Sequence, residues 1–311
     1  MRHTVLAGGV GAARYLRGAL EAFDAADVTA IVNVGDDVTL HGLRVCPDLD
    51  TCTYTLAGAI DPDRGWGLVD ESWQAMAELG RYGGENWFSL GDRDLGTHLF
   101  RTQRLADGAT LTQVTAEITA AWDLGCSLLP VTDDPVETRV TLAEGGEINF
   151  QEYFVRLQHG VAVSAVRFAG ADDARATAAT NAAIEGADVL VIAPSNPIVS
   201  IGPVLAVPGV RDAVAARRER NVAVSPIIGG KALKGPADRM LRELGEEATV
   251  VGVARRYRDL AATLVVDEVD AHLVGEIEQV GMRAIAMPTI MSEPGVAAAL
   301  ARACHEAGAN P

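Results

Sequence analysis

The segment NVGDDVTLHGLRVCPDLDTCTY, residues 33–54, sets Asp36, Asp37, Asp48 and Asp50 close behind an apolar run. Carboxylates gathered in one place repel each other, and a hard cation relieves that repulsion; Mg2+ typically takes one or two carboxylates together with substrate phosphate oxygens. For any single aspartate the plainer account is helix capping or solvation, Asp50 lying just before a helix expected to begin near Thr51. As a set they predict a cation site serving a phosphorylated ligand.

TVLAGGVGAARYLRGAL places Gly8, Gly9, Val10 and Gly11 between a strand and a helix, where bare backbone can approach a phosphate and the helix N-terminus offers free N–H groups. Neither GxGxxG nor the GK[ST] ending of a P-loop is met, so a tight turn without a ligand explains these glycines about as well. SLGDRDLGTHLFRTQRL gathers Ser89, Asp92, Arg93, Asp94 and His98 at a helix start. Its acidic residues suit the helix dipole, and His98 reads as a packed or surface histidine. Arg93 points its guanidinium at a substrate phosphate or ring edge, or else pairs with an aspartate at the surface. VIAPSNPIVSIGP holds Ser195 and Asn196 between two prolines after the most apolar strand, and an asparagine amide there offers the donor and acceptor that a purine base requires. VAVSPIIGGKALKGPADRM repeats the arrangement with Ser225, Gly229, Gly230, Lys231 and Lys234. Together with the glycine turn these loops predict one crevice.

Loops of this kind need a sheet whose strands end on one rim. Apolar strand signals (TVLA, VTAIVNV, CSLLPV, VAVSAVRF, ADVLVIAP, NVAVSPII, TLVVDEV and RAIAMPT) alternate with alanine-rich helical text, which predicts a Rossmann-like α/β fold: a three-layer αβα sandwich around a mainly parallel sheet. Residues 62–125 break the rhythm and read as a helical insertion over the sheet edge, while VETRVTLAEGGEINFQEYFVR reads as a β-hairpin. Without repeats or a linker, the 311 residues are expected to form a single domain.

Composition narrows the function. A formal net charge of -16 disfavours nucleic acid as a partner, because such binding depends on basic patches. No apolar run is long enough for a membrane span and the N-terminus has no signal-peptide layout, so a cytoplasmic protein is expected. Cys46, Cys52, Cys126 and Cys304 lack CxxC spacing and are expected to be buried free thiols.

Taken in order, GGVGAARYLRG, NVGDD, CPDLDT, DPDRGWG, LGDRDLGTH, LLPVTDDPVET, FQEYFV, APSNPIVSIGP and SPIIGGKALKGPA resemble the 2-phospho-L-lactate transferase family, known in actinobacteria as phosphoenolpyruvate transferase. The resemblance implies transfer of a phosphoenolpyruvyl or 2-phospholactyl group from a guanosine-diphosphate-activated donor to the deazaflavin Fo, with release of GMP, in coenzyme F(420) biosynthesis. By it Asp36 and Asp50 would contact Mg2+ and substrate, with Asp50 also near the Fo hydroxyl. Gly8, Gly9, Val10 and Gly11 would cradle the donor phosphates. Asn33, Ser195, Asn196 and Pro197 would belong to the nucleotide site, with the Ser195–Pro197 loop at the guanine end. Ser89 and Arg93 would border the Fo pocket, with Trp66 and Trp87 as walls for its ring. GGVGAARYLRG and DPDRGWG favour the phosphoenolpyruvate branch, and a homodimer is expected. Two other readings compete: a nucleotide-sugar-binding regulatory protein of the same superfamily, and an NAD-dependent oxidoreductase, which needs an acidic residue ending the second strand.

Overall fold

His3–Ala7, all five residues buried, form the first strand, β1. An apolar run without alternation is what a strand covered on both faces requires. Helix α1 (Gly9–Ala22) and β2 (Val28–Val32) follow, then a short hairpin of β3 (Val38–Leu40) and β4 (Leu43–Val45), and α2 (Pro47–Leu56). Next come α3 (Gln74–Arg81), α4 (Asp94–Ala106), α5 (Leu111–Ala121), β5 (Ser127–Pro130), β6 (Glu137–Leu142), β7 (Glu147–Asn149) and β8 (Val163–Ala169). The remaining strands are β9 (Val189–Ile192), β10 (Asn221–Val224), β11 (Ile227–Ile228), β12 (Lys231–Ala232), β13 (Thr263–Val266) and β14 (Arg283–Ala286). A C-terminal helix spans Val296–Ala309; this computed structural model describes residues 1–310.

The main sheet has seven parallel strands in the order β14–β13–β10–β9–β1–β2–β5. From β1 the chain builds outward to β5 on one side and, starting at β9, to β14 on the other. The order therefore reverses between β1 and β9, and in open α/β sheets ligands bind beyond the strand carboxyl ends at such a reversal. The predicted Rossmann-like α/β architecture is the one observed.

Three local expectations are corrected. VAVSAVRF supplies β8, which pairs antiparallel with β6 in a separate sheet ordered β7–β6–β8; most of its residues are exposed or half-buried, so it lacks the two-sided cover of a central strand. Helix α2 starts at Pro47 rather than near Thr51, because proline suits a first helical position, and Asp48 and Asp50 therefore lie inside its first turn. WGLVDESWQAMAELGRYGG is helical only over Gln74–Arg81.

The insertion fastens itself. The Glu71 carboxylate accepts from the Arg93 and Asp94 amides at the start of α4, at 2.8 and 2.9 Å. Asp92 returns the arrangement, accepting from the Gln74 and Ala75 amides of α3 at 2.9 and 3.0 Å. Both carboxylates sit at the electropositive ends of helices and satisfy donors that the helices leave over.

Behind the sheet, His3 Nδ1 lies 3.3 Å from His305 Nδ1 and His3 Nε2 lies 3.1 Å from the Tyr15 hydroxyl. Burial, reinforced by His305, lowers the His3 pKa to about 3. A folded-state pKa below the unfolded value contributes stability at neutral pH that is lost as pH falls below about 6.5. Wild-type protein is expected to lose about 1.4 kcal/mol per pH unit from this group between pH 6 and pH 4. His3→Gln removes that component, so the difference between the two proteins' denaturation midpoints should shrink on acidification; a constant difference would refute it.

Candidate active site

The ends of β1, β2, β9, β10 and β14 open on a cavity of about 760 Å3. Its lining includes Gly8, Gly9, Val10, Gly11, Asp36, Ser89, Ser195 and Asn196, all singled out from the sequence. Asp48, Thr51, Trp66, Phe88, Phe154 and Lys234 complete its character. One end is polar and acidic, where α1 and α2 begin. Trp66 and Phe88 from the insertion, together with Phe154, add aromatic side chains to the lining.

At the polar end the strand-to-helix turn is tight because other parts of the chain press on it. A Cβ at Gly11 would lie 2.1 Å from the Pro194 carbonyl oxygen, and one at Gly8 would lie 2.8 Å from Ser200 Cβ. Gly9 has φ +70°, a left-handed conformation that glycine adopts without strain. The Gly9 amide donates to Asp48 Oδ1 at 2.8 Å, and Asn33 Nδ2 donates to Asp48 Oδ2 at 2.9 Å. The Asp48 carboxylate thus lies against the first amide of α1.

The structure brings Asp36 together with Asp48, not with Asp50. Burial, and next the charge of Asp48, push Asp36 well above the usual carboxylate range; burial raises Asp48 to about 6, opposed by its bonds from Asn33 and Gly9. Asp36 Oδ1 is buried and has no hydrogen-bond partner among the described residues. An orphaned oxygen beside a second buried carboxylate offers a hard cation two of its ligands, with the rest left to substrate phosphate and water. Asp37 faces a separate cavity and pairs with Arg44 at 3.0 Å.

Asp50 and Asp48 lie two residues apart on α2, so they point to different faces. Residues 47, 48 and 51 line the cavity, whereas Asp50 and Tyr54 face α4. Arg101 grips both Asp50 oxygens, through Nη1 at 3.1 Å and through Nη2. His98, 1% exposed, lies with Nε2 3.2 Å from Asp94 Oδ2 and Nδ1 3.7 Å from Asp50 Oδ2. The His98–Asp94 approach is at ion-pair distance, but the His98 Nε2 direction does not make a hydrogen bond. Tyr54 donates to Asp94 Oδ1 at 2.5 Å, completing a buried network between α2 and α4.

Several expected contacts have other occupations. Asn33 is fully buried, with its amide spent on Asp48, Val199 and Gly35. The Asn196 side-chain oxygen accepts from the Ile198 amide at 2.9 Å, so its acceptor shapes the loop instead of facing the cavity. Pro197 is buried and Arg93 holds the Val69 carbonyl; neither lines the cavity. Trp87 packs edge-on against Phe88, 5.8 Å between ring centroids, whereas Trp66 does line the cavity. Arg64 steadies that wall with its guanidinium 5.4 Å from the Trp66 ring and 5.3 Å from the Trp73 ring.

Sequence reasoning missed Arg14, Gln151, Phe154 and the Thr289–Ser292 loop. The loop follows β14, so the strand-end rule locates it once β14 is placed on the sheet. Phe154 enters through a π-helical turn, Glu152–Arg156, whose extra residue per turn carries no sequence signature. All four cysteines are free and buried. Among the described residues no helix is long and apolar enough to cross a membrane.

Comparison with known proteins agrees with this architecture. The family model described as 2-phospho-L-lactate transferase CofD matches residues 4–294. A phosphoenolpyruvate transferase of Streptomyces griseus is 48% identical, with 98% of each chain covered. One from Mycobacterium avium is 47% identical over the full length of both, and one from Mycobacterium tuberculosis 45% identical over 99% of each. Among solved structures, protein BH3568 of Bacillus halodurans, described as a member of the UPF0052 family, superposes with a TM-score of 0.64 at 18% identity; 97% of this chain and 98% of that one are covered. At that identity the likeness bears on the fold alone.

Proposed function

The chain belongs to the 2-phospho-L-lactate transferase CofD family, and from that premise we propose that it transfers a phosphoenolpyruvyl group, or its 2-phospholactyl counterpart, to the deazaflavin Fo. The donor in this reading is guanosine-diphosphate-activated, with the three-carbon unit on its terminal phosphate, and GMP leaves. The observation that carries the proposal is the cavity at the strand-order reversal, whose lining combines an acidic, glycine-lined corner for phosphates with the rings of Trp66, Phe88 and Phe154 for a planar acceptor. Ser89, next to Phe88 in the chain, lines the same cavity.

The reaction exchanges a phosphoanhydride for a phosphodiester as a ribityl hydroxyl attacks in line, so negative charge on the phosphoryl oxygens must be offset. A divalent cation such as Mg2+ supplies that charge when bound, and Asp36 and Asp48 are the residues that would hold it. The Gly9 amide and Asn33 fix Asp48; Gln151 steadies the Asp36 backbone by donating to its carbonyl at 2.9 Å. Asp50 acts indirectly: with Arg101 it holds α2 so that Asp48 and Thr51 face the cavity. The helical insertion supplies Trp66 and Phe88 to the acceptor's side of the cavity.

The oxidoreductase reading needs a carboxylate where β2 ends to take a ribose. The residue there is Asn33, buried and bonded to Asp48, and the nearest carboxylate, Asp36, lies three residues further on beside Asp48. Mass spectrometry of reactions containing Fo and either guanylylated phosphoenolpyruvate or guanylylated 2-phospholactate tests the proposal. Expected products are GMP and Fo extended by the three-carbon phosphate through a phosphodiester, with the phosphoenolpyruvyl donor preferred. Unchanged Fo with both donors would refute the assignment.

A further inference from the structure

Most arginines of this acidic chain are committed to carboxylates or carbonyls, but Arg14 is not. It lines the cavity, is half-buried, and makes neither an ion pair nor a side-chain hydrogen bond among the described residues. It lies three residues beyond Gly11 on α1, on the face that Gly11 turns to the cavity. The 194–200 loop touches α1 at that point: a Cβ at Gly11 would lie 2.1 Å from the Pro194 oxygen and 4.0 Å from the Ser195 amide nitrogen. Ser195 lines the same cavity at 4% exposure, and its hydroxyl has no hydrogen-bond partner among the described residues. A buried hydroxyl left without a partner is costly unless a ligand completes it, and the uncommitted Arg14 guanidinium in the same lining is free to meet that ligand.

We infer that Arg14 and Ser195 form an oxyanion pocket of their own, set apart from the Asp36–Asp48 corner, that binds a phosphate or carboxylate group of the donor. The inference rests on the proposed function and alters one part of it: Ser195 serves an anionic group and not the guanine ring. The charge pattern supports this. Asp48 already occupies the Gly9 amide at the mouth of α1, so that amide is not free for an anion, and a group of the donor not bridged there by a cation turns to the next positive group along the helix. Arg14 is that group, and its planar fork fits the two oxygens of either kind of anion. A multiply charged donor would then be held at two points, one reached through the acidic corner and one through this pocket.

The test measures binding of inorganic pyrophosphate, GDP and phosphoenolpyruvate, each in the presence of Mg2+, to wild type and to Arg14→Gln, Ser195→Ala and Arg17→Gln by calorimetry. Arg17 is on the same helix and exposed, so it controls for loss of one surface charge. Arg14→Gln is expected to weaken at least one anion about tenfold or more, Ser195→Ala the same anion by a smaller factor, and Arg17→Gln none. Weakened pyrophosphate and GDP would identify the group held as a phosphate; weakened phosphoenolpyruvate alone would identify it as the carboxylate. Arg14→Gln that binds all three as wild type does overturns the inference, as does wild type that binds none of them. Product formation by wild type in the mass-spectrometric assay is read independently, so a failed pocket and a failed function are distinguishable.

Discussion

Asp36→Asn is expected to lower turnover by about a hundredfold to a thousandfold, the usual cost of removing one electrostatic stabiliser from a reacting centre. The same variant should not be less stable than wild type when divalent cations are withheld. In the wild type, burial and Asp48 both work against the Asp36 charge, so its pKa is raised and, without a cation, it opposes folding at neutral pH. Asparagine keeps the shape and removes the charge. Thermal denaturation in chelator and in Mg2+, run beside a turnover assay, separates the two effects: wild type gains stability from Mg2+ and the variant gains far less. A variant that lost stability in chelator, or kept near-normal turnover, would contradict the assignment of Asp36.

Arg101→Ala should be the most damaging single change to the fold near the site, at about 3–5 kcal/mol, because it leaves the buried Asp50 carboxylate without its partner. Arg101 is 2% exposed and Asp50 5%, so water cannot replace the lost guanidinium without rearrangement. The paired change Asp50→Asn with Arg101→Met removes both charges and is expected to recover most of that stability and most of the activity. Denaturant midpoints and turnover of the single and double variants decide it. Recovered stability without recovered activity would put Asp50 on a substrate and refute its indirect role.

How much was readable from the residues follows from what kind of force places each one. The parallel sheet was legible because apolar runs such as VLVI at 189–192 have no alternation to misread. β8 was misplaced on the sheet because a short apolar-rich run does not reveal which of its faces meets solvent until its partner is known. The acidic corner was legible as a cluster, yet its internal division was not. Starting α2 at Pro47 instead of near Thr51 turns Asp48 toward the cavity and Asp50 toward Arg101, and a helix boundary is the least determined feature of a sequence. Asn196 was read by its chemistry alone. Its oxygen is consumed two residues away by the Ile198 amide, a local bond that asparagine makes readily in turns. Asp92 and Arg93 belong to a motif with a strong pattern whose work lies in joining helices, which only the partners Gln74, Ala75 and Val69 reveal.

The reciprocal fastening of α3 and α4 by Glu71 and Asp92 has an evolutionary consequence. Because those two carboxylates tie α3 to the start of α4, the segment carrying Phe88 keeps its own shape, while the Asp50–Arg101 pair joins it to α2. A lineage could therefore change the side chains of that segment while leaving the loops at the strand ends untouched.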